Sequence, residues 1–144
     1  MLVNEENILV GPCGVFCGGC LAHLAGEDSR AMEQLVAMGM PRESLPCPGC
    51  RTIGGLCPVI PGGCVTYRCA DNHNVEFCFQ CPDFPCAKLN PAADKAAVLP
   101  HNLKVFNLCF IKEKGLQAWK DRAREIRDKY FDGRMELGKG PRVE

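Results

Sequence analysis

The chain has 144 residues, 12 of them cysteine, and its 17 basic and 17 acidic residues leave no net charge at pH 7. This length predicts one domain, and the charge balance argues against nucleic acid as a partner, because nucleic-acid-binding domains are basic. No apolar run approaches the ~18–20 residues that span a bilayer, and the start, MLVNEENILVGPC, lacks the basic and apolar regions of a signal peptide. We therefore expect a cytoplasmic protein without a membrane segment, whose reduced thiols serve as metal ligands rather than as disulfides.

The first region, residues 1–46, contains the motif CGVFCGGC and then a predicted helix. Either Asp28 or Ser29 can cap this helix. Its apolar positions follow helical spacing, at Met32, Leu35 and Val36. Gly39 and Pro41 are expected to end it.

The second region, residues 47–90, holds eight of the twelve cysteines together with two Gly-Gly pairs and several prolines. This composition predicts turns and short helical pieces, of which the segment 65–72 fits two helical turns. A compact domain rarely contains so long a loop-rich segment unless something orders it. Metal coordination is the expected ordering element.

The third region is predicted to be helical. Asn90 and Pro91 begin a short helix through Val98, and a second helix follows with apolar positions at Leu103, Phe106 and Phe110. Cys109 on that helix is expected to be a buried structural thiol. After Gly115, a narrow apolar stripe predicts an amphipathic helix, at Leu116, Trp119, Ala123, Ile126 and Tyr130.

Together these patterns predict a small, metal-stabilised fold that is mainly α with irregular loops. A cysteine-rich zinc-binding core (1–90) is followed by a C-terminal helical hairpin (91–131) and a tail (132–144), all in a single domain.

Three C-x2-C spacings, at 17–20, 47–50 and 78–81, carry the metal prediction. A tight turn across two residues can direct both sulfurs at one ion, about 2.3 Å away for zinc. Three such turns with flanking cysteines are a strong metal signal. The predicted ligands are ten of the cysteines: Cys13, Cys17, Cys20, Cys47, Cys50, Cys64, Cys69, Cys78, Cys81 and Cys86.

The spacing leaves the pairing of these ligands open, although it predicts two or three zinc ions. One tetrahedral set is Cys47, Cys50, Cys64 and Cys69. The group Cys78, Cys81 and Cys86 needs a fourth ligand, which Cys13, Cys17 or Cys20 can supply. Cys57 can complete a third site with the remaining thiols of the first motif, and His73 is an alternative to a cysteine ligand.

In this order of cysteines the chain resembles the cysteine-rich bacterial and archaeal family catalogued as domain of unknown function 3795. The resemblance runs through CGVFCGGC, CPGCR, CVTYRC and CFQCPDFPCAKL and continues into HNL and GLQAW. It implies a metal-binding fold, presumed to hold zinc, with no established activity. Cys57 and Cys109 lie outside the family pattern.

We expect closed, structural zinc sites of four cysteines each, in a binding or adaptor module with a protein partner, rather than an enzyme. The alternative is an iron–sulfur protein with a [4Fe-4S] cluster in electron transfer or redox sensing, although no segment reproduces C-x2-C-x2-C-x3-C-P. A third hypothesis is an enzyme or metal chaperone with an open zinc position. A radical S-adenosylmethionine enzyme needs a barrel of about 200 residues or more, and a thioredoxin-type site needs a strand–helix–strand context.

Overall fold

The computed structural model describes residues 9–89, 103–132, 135–136 and 140–141. The chain divides into two compact units, which are described separately below. Unit 1 comprises residues 1–12 and 16–76, and unit 2 comprises residues 13–15 and 77–144. The short helix predicted over 90–98 lies outside the described residues.

Unit 1 is built from short helices separated by turns. They are a 3-10 turn at Cys17–Gly19, α1 at Leu21–Leu24, α2 at Ser29–Ala37, a 3-10 turn at Arg42–Ser44, and α3 at Val65–Asn72. Helix α2 begins where its cap was predicted, because the Asp28 carboxylate accepts the backbone N–H groups of Arg30 and Ala31 at 2.9 and 3.4 Å. Helix α3 covers the segment predicted to make two helical turns.

The apolar core of unit 1 forms where α1 and α2 pack on the segment that follows α2. Its buried members are mostly small, namely Ala22, Ala25, Leu35, Leu45 and Cys47. Met32 and Val36, which the helical spacing placed on the apolar side of α2, are partly buried against this core.

Between the core and α3 the backbone is a series of turns, as the composition predicted. The N–H of Cys64 donates to the carbonyl of Gly55 at 2.8 Å and so closes the loop between them. The ring of Tyr67 lies against Gly55, where a Cβ would approach the ring to 2.6 Å. The loop is therefore fixed by local hydrogen bonds and by one aromatic contact with α3.

Unit 2 contains two longer helices, α4 at Leu103–Lys114 and α5 at Leu116–Asp132, which pack against each other. Only Gly115 separates them, and its φ of +89° is a left-handed conformation that glycine adopts without strain. The unit also contains a 3-10 turn at Cys78–Gln80 and two-residue strands, β1 at Met135–Glu136 and β2 at Gly140–Pro141. The strands pair antiparallel, with residue 135 opposite 141 and residue 136 opposite 140.

The stripe predicted for α5 is buried at Trp119, Ala123, Ile126 and Tyr130. The face predicted for α4 is only partly right, because Phe106 and Phe110 are half-buried. Leu103 is buried as predicted, and the other buried residues of α4 include Asn107, Leu108 and Ile111. The buried face of α4 is therefore rotated from the predicted one, and the polar Asn107 side chain lies in the interior of unit 2, where it has hydrogen-bond partners. It also corrects the expectation for Cys109, whose side chain is exposed rather than buried.

The fold is therefore mainly helical with irregular loops and many cysteines, as expected. None of the helices in the described ranges combines the length and apolar character needed to cross a membrane.

Candidate functional site

The first C-x2-C segment of unit 1 is a tight 3-10 turn. Gly19 N–H donates to the Phe16 carbonyl at 3.1 Å, and Cys20 N–H donates to the Cys17 carbonyl at 3.0 Å. Gly18 lets the Phe16 ring fold over this turn, since a Cβ there would come within 2.6 Å of the ring. Helix α1 begins directly after Cys20, and the backbone N–H groups of Ala22 and His23 act to lower the pKa of this thiol against the effect of its burial. Such N–H donors favour a thiolate at the start of a helix.

The second C-x2-C segment is attached to the first through α1. Cys47 N–H donates to the Ala22 carbonyl at 2.8 Å, and the Cys47 carbonyl accepts a 2.7 Å hydrogen bond from Nδ1 of His23. The turn that follows requires a left-handed residue, which Gly49 supplies with a φ of +109°. These contacts bring together two cysteine pairs that lie thirty positions apart in sequence.

The closest relationship between the two pairs joins Cys50 to Cys17, whose side chain is 5% exposed. A side-chain interaction with Cys50 is the largest contribution that lowers the pKa of Cys17 from 9.0 to about 7. Burial opposes the shift, whereas the Cys50 backbone N–H and the nearby His23 and Arg51 reinforce it. Cys17 is therefore about half thiolate near neutral pH, and thiolate is the form that binds metals.

Two further thiols belong to the same electrostatic environment. Burial raises the pKa of Cys20, and the charges of Cys17 and Cys47 raise it further. Burial likewise raises the pKa of Cys57, with smaller contributions from the charges of Cys20, Cys47 and Cys17. Each thiolate thus opposes the ionisation of its neighbours, and a divalent cation would relieve this mutual repulsion. We call Cys17, Cys20, Cys47 and Cys50 the unit 1 thiol cluster, beside which Cys57 lies.

Three residues near this cluster were not among the predicted ligands. His23 and Arg51 act on the charge of Cys17, and Cys57 was set outside the family pattern. The sequence contained one signal for Arg51, its position directly after the second C-x2-C pair. The signal for His23 was its position three residues after Cys20, within α1, from which its ring reaches the Cys47 carbonyl.

The remaining predicted ligands of unit 1 are Cys64, directly before α3, and Cys69, within it. The Cys64 sulfur caps this helix by accepting the Tyr67 backbone N–H at 3.4 Å. The Cys69 sulfur lies 3.7 Å from Nδ1 of His73, which also lies 2.8 Å from the Cys69 carbonyl. The two thiols are partly buried, and His73 is exposed.

Unit 2 repeats the first turn with the same backbone hydrogen bonds. In the segment Phe77–Cys81, Gln80 N–H donates to the Phe77 carbonyl at 3.0 Å and Cys81 N–H donates to the Cys78 carbonyl at 3.1 Å. This turn packs against α4. Cys13 belongs to the same unit and is buried, whereas Cys86 is exposed.

A metal site needs several ligand side chains directed at one point. Across residues 9–89 and the other described ranges, no group of three or more Cys, His, Asp or Glu side chains is arranged so that it could hold a metal ion. The donor chemistry of the unit 1 thiol cluster nevertheless fits zinc, because it offers sulfur ligands in C-x2-C turns with N–H donors to sulfur. The assignment of particular cysteines to one metal ion therefore stays a prediction.

The chain was also compared with known proteins. A family model described as "Protein of unknown function (DUF3795)" matches residues 9–91. No curated protein and no solved structure matches the chain. The matched range covers more than half of the 144 residues and contains every predicted metal ligand. The chain therefore belongs to the DUF3795 family.

Proposed function

We propose that this protein is a zinc-binding domain in which the unit 1 thiol cluster forms one structural site. The observation that carries the proposal is the pair of hydrogen bonds that Cys47 makes with Ala22 and His23, at 2.8 and 2.7 Å, because they join two C-x2-C turns distant in sequence. Four thiolates are a common ligand set for closed structural zinc sites. Such a site contributes folding free energy directly.

A second site is proposed in unit 2, with Cys78, Cys81 and Cys86 as ligands and Cys13 as the fourth. Its support is that the turn Cys78–Gln80 and the residue next to Cys13 both pack against α4. Gly14 accepts a 2.9 Å hydrogen bond from Asn107, and a Cβ on it would lie 2.5 Å from the Lys104 carbonyl oxygen. The motif CGVFCGGC would then supply ligands to two different ions.

As a closed zinc domain the protein would act as a binding or adaptor module rather than as an enzyme. Support comes from large apolar side chains that are exposed between the second C-x2-C pair and the first residue of α3. Leu56 is 73% exposed, and the others are Val59, Ile60 and Val65. Exposed apolar surface can mark a protein interaction site.

Metal analysis of the protein purified without oxygen tests the proposal. We expect a colourless protein with zinc bound and little iron. A brown protein with several irons per chain would instead support the alternative, an iron–sulfur protein in electron transfer or redox sensing. Zinc and iron are measured by elemental analysis, and clusters by visible absorption.

Serine variants then assign the ligands. Cys17→Ser and Cys50→Ser should each lose one zinc equivalent, and the double variant should lose no more than one. Cys17→Ser with Cys78→Ser should lose two, whereas Cys13→Ser with Cys78→Ser should lose one. Cys109→Ser is the matched control, because this thiol is exposed and lies outside the proposed sites. Full metal content in Cys17→Ser and Cys50→Ser would refute the unit 1 site.

A further inference from the structure

Arg51 is a buried cation of unit 1, with only 3% of its surface exposed. It follows Cys50 directly, and two of its hydrogen bonds reach main-chain carbonyls far away in sequence. Nε donates to Val10 at 2.8 Å, and Nη2 donates to Glu76 at 2.7 Å. Val10 and Glu76 lie close to the two ends of the described part of unit 1. One guanidinium therefore connects both ends of the unit to the second C-x2-C pair.

Neutral carbonyls satisfy the N–H groups of a guanidinium but do not cancel its charge. Burial lowers the pKa of Arg51 from its ordinary value, although the nearby Glu76, Tyr67, Cys17 and Cys50 act in the opposite direction. Four thiolates around one Zn²⁺ would carry a net charge of about −2 beside Arg51.

We infer that Arg51 is a positioning residue that couples metal binding at the unit 1 thiol cluster to the attachment of both ends of the unit. The inference rests on the proposed zinc site and adds the residue that connects the site to the fold. The guanidinium offsets the negative charge of the metal–thiolate centre and, in the same geometry, holds the carbonyls of Val10 and Glu76. Because coupling is reciprocal, metal binding must strengthen these two hydrogen bonds by as much as their formation strengthens metal binding.

Substitution of Arg51 by lysine or by glutamine distinguishes the contribution of its charge from that of its hydrogen bonds to the two carbonyls. Lysine keeps the charge, but its compact ammonium cannot reproduce the fork that reaches both carbonyls. Glutamine removes the charge and also shortens the side chain. Outer-shell partners of metal ligands typically contribute about 10–100-fold to metal affinity. Arg51→Gln should lose affinity in this range, and Arg51→Lys should lose less.

Arg68 provides the matched control, because it is an exposed arginine of α3 in the same unit. The full chain and the variants Arg51→Gln, Arg51→Lys and Arg68→Gln are compared by zinc competition with a chelator, under reducing conditions. Hydrogen exchange is followed in peptides containing residues 9–12 and 74–77, with and without zinc. The second readout reports attachment of the ends of the unit and does not depend on any activity.

We expect Arg51→Gln to weaken zinc binding about 10–100-fold, while Arg68→Gln binds like the wild type. Zinc removal should speed exchange in both end peptides of the wild type. In Arg51→Lys, exchange in these peptides should be fast whether or not zinc is bound. Wild-type affinity in Arg51→Gln, or wild-type exchange that does not respond to zinc, overturns the inference.

Failure of the inference is distinguishable from failure of the proposed function. If the wild type binds no zinc, the proposed site is wrong, and the inference falls with it. If the wild type binds zinc and Arg51→Gln binds it equally well, only the role of Arg51 is wrong. If Arg51→Gln does not fold, the response of wild-type exchange to zinc and the behaviour of Arg51→Lys still decide the question.

Discussion

The indole N–H of Trp119 donates a 3.0 Å hydrogen bond to Oδ1 of Asn107, and both side chains are 2% exposed. The amide nitrogen of Asn107 donates in turn to the Gly14 carbonyl at 2.9 Å. The two partners fix the orientation of the amide, since an indole can only donate and a carbonyl can only accept. This relay joins α5, α4 and the residue after Cys13 within unit 2.

Replacement of Asn107 should destabilise unit 2 strongly. Asn107→Ala leaves the Trp119 N–H and the Gly14 carbonyl buried without this partner, and we expect a loss of about 2–4 kcal/mol in the free energy of unfolding. Asn107→Asp keeps an acceptor for Trp119 but removes the donor to Gly14, so it should also be destabilising. Urea unfolding followed by Trp119 fluorescence measures both effects.

The control is Gln117→Ala, because the exposed Gln117 side chain bonds across one turn of α5, to Asp121 at 2.8 Å. This variant should change stability by less than about 0.5 kcal/mol. An Asn107→Ala variant as stable as Gln117→Ala would show that the relay does not form.

Gly14→Ala tests the close approach of the chain to α4. Gly14 has a φ of +85°, and an added Cβ would lie 2.5 Å from the Lys104 carbonyl oxygen and 2.9 Å from Cγ of Leu108. We expect a destabilisation of more than about 3 kcal/mol, from steric overlap in addition to the backbone cost. Gly39→Ala is matched in backbone conformation, with a φ of +93°, and has no atom within 4 Å of the added Cβ.

Gly39→Ala should therefore cost only the backbone term, about 1 kcal/mol. Equal losses in the two variants, measured by thermal unfolding, would contradict the close contact at Gly14.

Removal of the Asp28 cap should weaken α2. Asp28→Ala leaves the N–H groups of Arg30 and Ala31 without their side-chain acceptor, and we expect a loss of about 1 kcal/mol. Asp28→Ser should retain most of the stability, since serine is also a good cap. An Asp28→Ser variant as unstable as Asp28→Ala, in urea unfolding, would mean that the cap is not the cause.

The stability of the metal-free, reduced protein should depend on pH through the thiols of unit 1. The pKa of Cys17 is lowered from 9.0 to about 7 in the folded state. Between these values the unfolded chain binds more protons, so stability rises with pH and is lost as pH falls through 7, by up to about 2–3 kcal/mol. Above pH 9 the raised pKa values of Cys20 and Cys57 act oppositely, because the unfolded thiols ionise first.

The measurement is denaturant unfolding of the wild type and of Cys17→Ala from about pH 6 to 10, with a chelator and a reductant present. The variant should lack the rise between pH 7 and 9 while retaining the decline above pH 9. Parallel profiles for the two proteins would mean that Cys17 is not ionised ahead of its neighbours.

The elements that the sequence predicted well are those whose signals are local. The Asp28 cap, the two turns of α3 and the buried stripe of α5 each follow from residues within one helix. The face of α4 was harder to predict, because Phe106 and Phe110 are the larger apolar side chains. Asn107 is nevertheless buried, since Trp119 and Gly14 satisfy its amide.

By itself the sequence determined that the chain is mainly helical, rich in turns where the cysteines concentrate, and supplied with three C-x2-C pairs. The tertiary structure alone decided which thiols meet. It brought Cys17 to Cys50 and placed the nearby Cys13 in the other compact unit. Spacing fixes how a turn directs two sulfurs, but the meeting of two turns depends on long-range contacts. Those contacts include the hydrogen bonds of Ala22 and His23 with Cys47. They produce no periodic pattern of residues, so the sequence does not reveal them.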